Sequence, residues 1–111
     1  MDTRLLWGAL EMLILDVVSR GTSYGYEITQ TVLSESNGQF ELKEGSLYPA
    51  LHRLERQKLL SSSWGESEEG RRRKYYKITA SGKKVLEAKR QEWHDFSEGV
   101  EGVLRSHRGM A

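Results

Sequence analysis

A basic run with two adjacent tyrosines is the segment of this 111-residue chain whose residue types point most directly to chemistry. Residues 71–84 carry seven basic side chains and no acidic one, whereas the net charge of the whole chain is +1. Arginine and lysine bind phosphate oxygens and guanine edges, and tyrosine adds a hydroxyl and an aromatic face. A run of like charge is also typical of a solvated surface. The run alone therefore leaves two interpretations, a solvated face or a nucleic-acid contact.

Residues suited to catalysis or metal binding are sparse. The chain has no cysteine, which excludes thiolate nucleophiles and Cys-based zinc sites. Its histidines, His52, His94 and His107, are scattered, and neither an H-E-x-x-H nor a G-x-S-x-G motif is present. His94 and Glu98, four residues apart, could share a metal, but they lack a third ligand. We therefore predict a protein that is not an enzyme and that uses no cofactor and no metal.

The longest apolar stretch, residues 5–18, is too short to span a bilayer and is interrupted by Gly8, Glu11 and Asp16. The N-terminus does not show the basic, apolar and small-residue segments of an export signal in succession. The composition, 37% hydrophobic and 30% charged, is ordinary for a globular protein. The sequence therefore predicts one cytoplasmic structural unit with no membrane contact.

Three helices are predicted in the first half of the chain. Residues 4–20 carry apolar side chains at helical spacing. Thr22 and Ser23 offer cap hydroxyls for a second helix, and Ser46 is a candidate N-cap for a third, with Pro49 in its first turn. The third helix has an apolar face at Leu47, Ala50, Leu51 and Leu54, and an opposite face at Tyr48, His52, Arg53 and Arg56.

Two strand-like segments and a long helix follow. Residues 59–64 and 72–78 are strand-like, and the polar, glycine-bounded residues 65–70 suit a hairpin loop. Thr79 is a candidate N-cap for a final helix that reaches about Ser106. This order predicts a mainly α fold, a winged helix-turn-helix domain at residues 1–80, with residues 81–111 as a dimerisation helix and short tail in the same structural unit. In such domains the third helix enters the major groove and the hairpin, or wing, follows the phosphates. Since the basic run falls on the second wing strand, the nucleic-acid interpretation is favoured.

Four segments share their residues and their order with one protein family. They are LEMLIL at residues 10–15, YGYEI at 24–28, EGSLYPALHRLE at 44–55 and GRRRKYYKIT at 70–79, followed by Gly82. With these motifs the chain resembles the PadR family of bacterial transcriptional regulators, in its short subclass. The resemblance implies a homodimeric DNA-binding repressor, often released from its operator by a small molecule.

The predicted DNA contacts of the helices lie near two helix N-termini. Ser46 either caps the third helix or reaches DNA, and Tyr48 either packs internally or contacts a phosphate or a thymine methyl. Tyr26, at the start of the second helix, either binds a phosphate or packs. The predicted set on these helices is Tyr26, Ser46, Tyr48, Pro49, His52 and Arg53.

The predicted DNA contacts of the wing follow from strand alternation. Arg71 and Arg73 point to one face, and Arg72 and Lys74 point to the other. Some of these four cations are expected to contact phosphates and the rest to pair with carboxylates of the hairpin loop, Glu66, Glu68 or Glu69. At least one of Tyr75 and Tyr76 is expected in the core, and Glu55 is expected to pair with a neighbour because it would repel phosphate.

The final helix is predicted to serve assembly and ligand binding. In relatives the tryptophan corresponding to Trp93 lines a pocket between subunits and stacks on planar ligands, and Trp7 could close such a pocket; the alternative is that Trp93 is a dimer-core aromatic. A helix of about 27 residues is about 40 Å long, more than a small winged domain covers. The predicted dimer interface is Leu6, Leu10, Leu86, Trp93, Phe96, Val100, Val103 and Leu104.

These observations predict a dimeric, sequence-specific regulator that binds double-stranded operator DNA. Following the resemblance, it is expected to be a repressor released by a small aromatic effector. The alternative is a module that keeps the winged fold for protein interactions and does not act on DNA, because fold alone does not decide function.

Overall fold

The computed structural model describes the backbone of residues 3–110 and the side chains of residues 3–106; Ala111, in the expected tail, lies outside them. The elements are α1 (Thr3–Ser19), β1 (Ser23–Tyr24), α2 (Gly25–Glu35), α3 (Glu44–Arg56), β2 (Leu60–Glu66), β3 (Arg72–Ile78) and α4 (Ala80–Met110). The three strands form an antiparallel sheet in the order β1-β3-β2. The mainly α winged helix-turn-helix fold predicted from the sequence is confirmed.

The core lies between α1, α2, α3 and one face of the sheet. The apolar face predicted for α3 is fully buried, and Tyr76 of β3 is buried with it. The largest buried side chains of this core are Ile14, Leu15, Val18, Ile28, Leu47, Leu51, Leu54, Leu60 and Tyr76. Full burial of one such side chain stabilises the fold by about 1.5–3 kcal/mol. The core therefore fixes α3 by one side and leaves its other sides exposed.

Leu10 of α1 and Leu86 of α4 belong to this same core, each with 3% of its surface exposed. Leu6 is partly buried and packs against it. The structure thus places Leu10 and Leu86 in the protomer core rather than on the exposed surface that the predicted dimer contact would use. Their spacing in sequence suits either a protomer core or a dimer seam, and the hairpin that brings α4 back onto α1 decides between the two.

The chain before α2 differs from the sequence prediction. Ser23 and Tyr24 form the short strand β1, paired with Tyr76 and Tyr75 of β3. The Ser23 hydroxyl donates to Oε1 of Glu27 at 2.7 Å, and the N-cap residue of α2 is Tyr24, with no side-chain cap hydrogen bond among the described residues. The sheet, rather than a cap hydroxyl, therefore sets the start of α2.

Helix α3 begins earlier than predicted. The Lys43 carbonyl accepts hydrogen bonds from the amides of Ser46 at 3.0 Å and Leu47 at 2.9 Å, so Lys43 is the N-cap residue. The capping role considered for Ser46 is therefore wrong, and Pro49 lies inside the helix rather than in its first turn. Proline within a helix leaves one carbonyl of the preceding turn without its usual donor.

Helix α4 begins as the sequence predicts. The Thr79 hydroxyl accepts a hydrogen bond from the Gly82 amide at 3.0 Å and donates to the Lys58 carbonyl at 2.7 Å. A Cβ on Gly82 would lie 2.1 Å from the Leu59 carbonyl oxygen, so only glycine allows this approach. These contacts anchor α4 to the turn that follows α3. No helix among the described residues is long and apolar enough to cross a membrane.

Candidate nucleic-acid interface

A groove of about 520 Å³ separates the start of α2 and the exposed side of α3 from the wing, which is the β2–β3 hairpin. Its lining residues are Tyr24, Gly25, Tyr26, Tyr48, His52, Trp64, Arg72, Arg73, Lys74 and Tyr76. Six of the ten residues predicted to contact DNA are therefore brought together on one concave surface. Ser46, Pro49, Arg53 and Arg71 are not among the described residues that line it.

Tyr48 of α3 is placed both to pack internally and to contact DNA. Its hydroxyl packs against Gly25, since a Cβ there would lie 2.8 Å from Oη, yet 38% of the residue remains exposed. His52 follows one helical turn later and is exposed as well. Tyr48 thus both packs and faces the groove, and Gly25 permits this because it lacks a side chain.

Arg53 does not point toward the groove. Its Nε lies 3.6 Å from Oε2 of Glu11 on α1, and its side chain lines a different cavity. An α-helix turns about 100° per residue, so Arg53 lies about 140° around the axis from Tyr48. The structure therefore separates Arg53 from the groove, because the residue shares the polar part of α3 but not the direction of Tyr48.

The two faces of the wing carry different cations, as strand alternation predicts. Arg72 and Lys74 share a face with Trp64, and the Arg72 guanidinium carbon lies 4.7 Å from the centre of the Trp64 ring. Arg73 lies on the other face, where its guanidinium carbon is 3.9 Å from the Tyr24 ring centre. Arg71 precedes β3 and is exposed. Arg72 and Arg73 thus each contact an aromatic ring.

Lys74 is held by a carboxylate of α3. Its Nζ lies 3.2 Å from Oε1 of Glu55, and the Ser62 hydroxyl donates to Oε2 of the same carboxylate. The Ser62 hydrogen bond and then Lys74 lower the pKa of Glu55. Burial alone would lower the pKa of Lys74, but its bond to Glu55 and the nearby Tyr76 outweigh this and raise it. The predicted pairing of Glu55 with a neighbouring side chain is thus confirmed. The partner of Lys74 is Glu55 and not a carboxylate of the hairpin loop.

A second cavity, of about 750 Å³, lies between α1 and α4. Trp7 and Trp93 both line it, as does Phe96, whose ring centre is 6.0 Å from that of Trp93. The remaining lining residues are Arg4, Leu5, Gly8, Leu10, Glu11, Met12, Arg53, Lys89 and Glu92. The two tryptophans predicted to share one pocket therefore line the same cavity within a single protomer.

The outer part of α4 exposes apolar side chains that the protomer core does not cover. Trp93 is 52% exposed and Val103 71%, and Phe96, Val100 and Leu104 are exposed too. Leu5 of α1, which the sequence analysis did not select, is exposed beside the same cavity. This apolar surface extends from the α1–α4 cavity along the helix.

A helix-turn-helix with an exposed polar side on α3, beside a wing with a basic strand, defines a winged-helix DNA-binding protein. The transcriptional regulator PadR-like family model matches residues 14–88. A PadR-like transcriptional regulator from Bacillus cereus is 36% identical, with a TM-score of 0.79 over 91% of this chain and 96% of that one. A transcriptional regulator from Clostridium thermocellum is 33% identical, with a TM-score of 0.81 over 88% and 95%.

Two curated proteins are similar to most of this chain. An uncharacterized protein from Lysinibacillus sphaericus is 34% identical over 97 residues, which are 87% of this chain and 89% of that protein. The transcriptional regulator YqjI of Escherichia coli is 31% identical over 93 residues, which are 84% of this chain but only 43% of the regulator. The chain belongs to the PadR family and is a DNA-binding transcriptional regulator.

Proposed function

We propose that this chain acts in the cytoplasm as a dimeric repressor, which binds operator DNA and releases it when a small planar molecule binds beside Trp93. The observation that carries the DNA contact is the groove, where Tyr48 and His52 of α3 face Arg72 of the wing. In this arrangement α3 lies in the major groove while the wing contacts the adjoining backbone.

Different side chains of the groove are suited to base contacts and to phosphate contacts. Tyr48 and His52 can donate to base edges or phosphates, whereas Arg72 offers a cation to the phosphates. Tyr26 is exposed at the start of α2, where the helix dipole and free amides favour an anion. We assign base recognition to α3 and general affinity to the wing and the α2 start.

The exposed apolar surface of α4 supports the dimer. Phe96, Val100, Val103 and Leu104 lie on one long helix, beyond the part that packs on α1, and water contact with such side chains is unfavourable. A two-fold symmetric partner would cover the same residues of both copies. It would also close the α1–α4 cavity, whose tryptophans are half exposed in one protomer.

The test combines DNA selection with measurements of DNA binding and of tryptophan fluorescence. A duplex selected from a random library and a random duplex are titrated by fluorescence anisotropy, and we expect tighter binding to the selected one. Binding to neither duplex at low salt would overturn the DNA assignment and would favour the protein-interaction alternative. Planar aromatic compounds should quench tryptophan fluorescence and weaken operator binding, and Trp93→Ala should remove both effects. An unchanged response in Trp93→Ala would contradict the assigned pocket.

A further inference from the structure

Trp64 is a large aromatic residue on the wing that the core does not use. It lies on β2 among three serines and a glycine, and 59% of its surface is exposed. Its ring faces the groove shared by the wing and α3, on the same side of the hairpin as Arg72 and Lys74. An exposed tryptophan at this place contributes little to the core and therefore needs another explanation.

The contact that Trp64 makes is with Arg72. The guanidinium carbon lies 4.7 Å from the ring centre, within the range of a cation–π interaction. Among residues 3–106, the Arg72 side chain has no hydrogen bond or ion pair, although Glu66 lies directly across from it in the strand register. The neighbouring cation Lys74 is paired with Glu55. Arg72 is thus a wing cation of the groove that contacts an aromatic ring and is not neutralised by a carboxylate among the described residues.

We propose that Trp64 is a positioning residue for DNA binding: its ring holds the guanidinium of Arg72 toward the groove and away from Glu66, so that the cation meets the DNA backbone beside α3. This inference rests on the proposed DNA contact of the groove and assigns a role to a lining residue, Trp64, that the proposed function does not use. Trp64 acts through Arg72.

A ring suits this task better than a carboxylate. A guanidinium stacked on a ring is attracted through its flat face, so its N–H edges remain available for the two oxygens of a phosphate. A carboxylate such as Glu66 would take those same edges and cancel the charge. Stacking also reduces the number of side-chain conformations that Arg72 loses when it binds, which favours association.

The first experiment replaces the ring while keeping its apolar bulk. Trp64→Leu should weaken binding to a random-sequence duplex by about two- to fivefold for each wing that contacts DNA, because a cation–π contact at an exposed site has about that strength. Trp64→Phe keeps an aromatic face and should lose less. Thermal unfolding should be nearly unchanged in both variants, since the residue is mostly exposed. Equal losses in the two variants, or none in Trp64→Leu, would overturn the proposal.

The second experiment asks whether the effect passes through Arg72. Arg72→Ala should weaken binding, and adding Trp64→Leu to it should cause no further loss. A full additional loss would show that Trp64 contacts DNA by itself, which contradicts a positioning role. Glu66→Gln should restore more affinity in the Trp64→Leu background than in the wild-type background. An equal gain in both backgrounds would contradict the shielding of Arg72 from Glu66.

The outcomes separate this inference from the proposed function. If the wild-type chain binds no duplex at low salt, the proposed DNA contact fails and this inference fails with it. If the wild type binds and Arg72→Ala weakens binding while Trp64→Leu does not, the wing contact stands and the role of Trp64 fails alone. If Arg72→Ala has no effect, the assignment of Arg72 and the role of Trp64 both fail.

Discussion

Replacing Gly25 with alanine should displace Tyr48 and weaken operator binding without unfolding the domain. Gly25 is the first residue of α2 and is buried. A Cβ built on it would lie 2.8 Å from Oη and 3.2 Å from Cζ of Tyr48, and real Cβ atoms are essentially never found within 3.0 Å of another heavy atom. The colliding atoms belong to the far end of a side chain, so the tyrosine ring moves and the backbone stays.

The expected sizes of the two effects differ clearly. Alanine favours a helix over glycine by up to about 1 kcal/mol, which offsets the cost of moving the ring. The free energy of unfolding should therefore change by less than about 1 kcal/mol. If Tyr48 contacts a base, its displacement should cost about 1–3 kcal/mol per half-site, which is roughly a five- to 150-fold loss of affinity. Random DNA should lose less, because it offers no matching base.

The assay is anisotropy on selected and random duplexes, together with thermal unfolding. Gly8→Ala on α1 is the control for the groove: its new Cβ would find no described atom within 4 Å, and Gly8 lines the α1–α4 cavity rather than the groove, so this variant is compared in the absence of effector and after its assembly has been checked. In a Tyr48→Ala background, Gly25→Ala should have no further effect on DNA binding. An equal loss in that background would show that the effect does not pass through Tyr48. Wild-type affinity in the single variant would refute the contact itself.

Three further predictions concern the charge of the wing, the ion pairs of Asp16 and the exposed side chain of Val103. Arg72→Ala should flatten the slope of the logarithm of the DNA-binding constant against log salt by about 0.9 per bound wing. Lys74→Ala should leave this slope unchanged because Glu55 already neutralises the lysine, and equal flattening in both variants would contradict that pairing. Burial would raise the pKa of Asp16, but hydrogen bonds from Arg90 of α4 and from Arg20, just after α1, lower it. The contribution of Asp16 to the free energy of unfolding is therefore present above pH 3.8 and is lost as the pH falls through the lowered value. Asp16→Asn should therefore lower stability at pH 7 by no more than about 1 kcal/mol, with the difference vanishing in acid; a difference independent of pH would contradict it. Val103→Glu should convert the proposed dimer to a folded monomer in sedimentation equilibrium, and an unchanged dimer would contradict the proposed interface.

Local patterns in the sequence predict most of the fold. The apolar spacing of α3 gives its buried face, because helical periodicity needs only neighbouring residues. The cap at Thr79 is likewise local. Strand β1 is missed because two residues carry no alternation, and its pairing with Tyr75 and Tyr76 joins segments about 50 residues apart. Local spacing in the sequence does not contain information about contacts between distant segments.

The same distinction applies to the candidate site. Strand alternation separates Arg72 from Arg73 correctly, since it depends on parity alone. The partner of Lys74 is missed because Glu55 is 19 residues away and becomes a neighbour only when the wing folds beside α3. Trp64 is missed for a related reason, since a tryptophan in a strand is usually explained by packing. Its exposure and its contact with Arg72 require the folded hairpin.

Helix α3 contributes side chains to both the groove and the α1–α4 cavity. Sequence reasoning treats the polar part of α3 as one face, but Tyr48 and Arg53 point in directions about 140° apart. Tyr48 lines the groove proposed for DNA, and Arg53 reaches Glu11 in the cavity that holds Trp93. A ligand in that cavity would therefore contact a side chain of the helix that we propose for base recognition. Since both residues belong to one helix, a ligand that displaced α3 as a whole would move Tyr48 together with Arg53, whereas a change in the Arg53 side chain alone would leave Tyr48 in place.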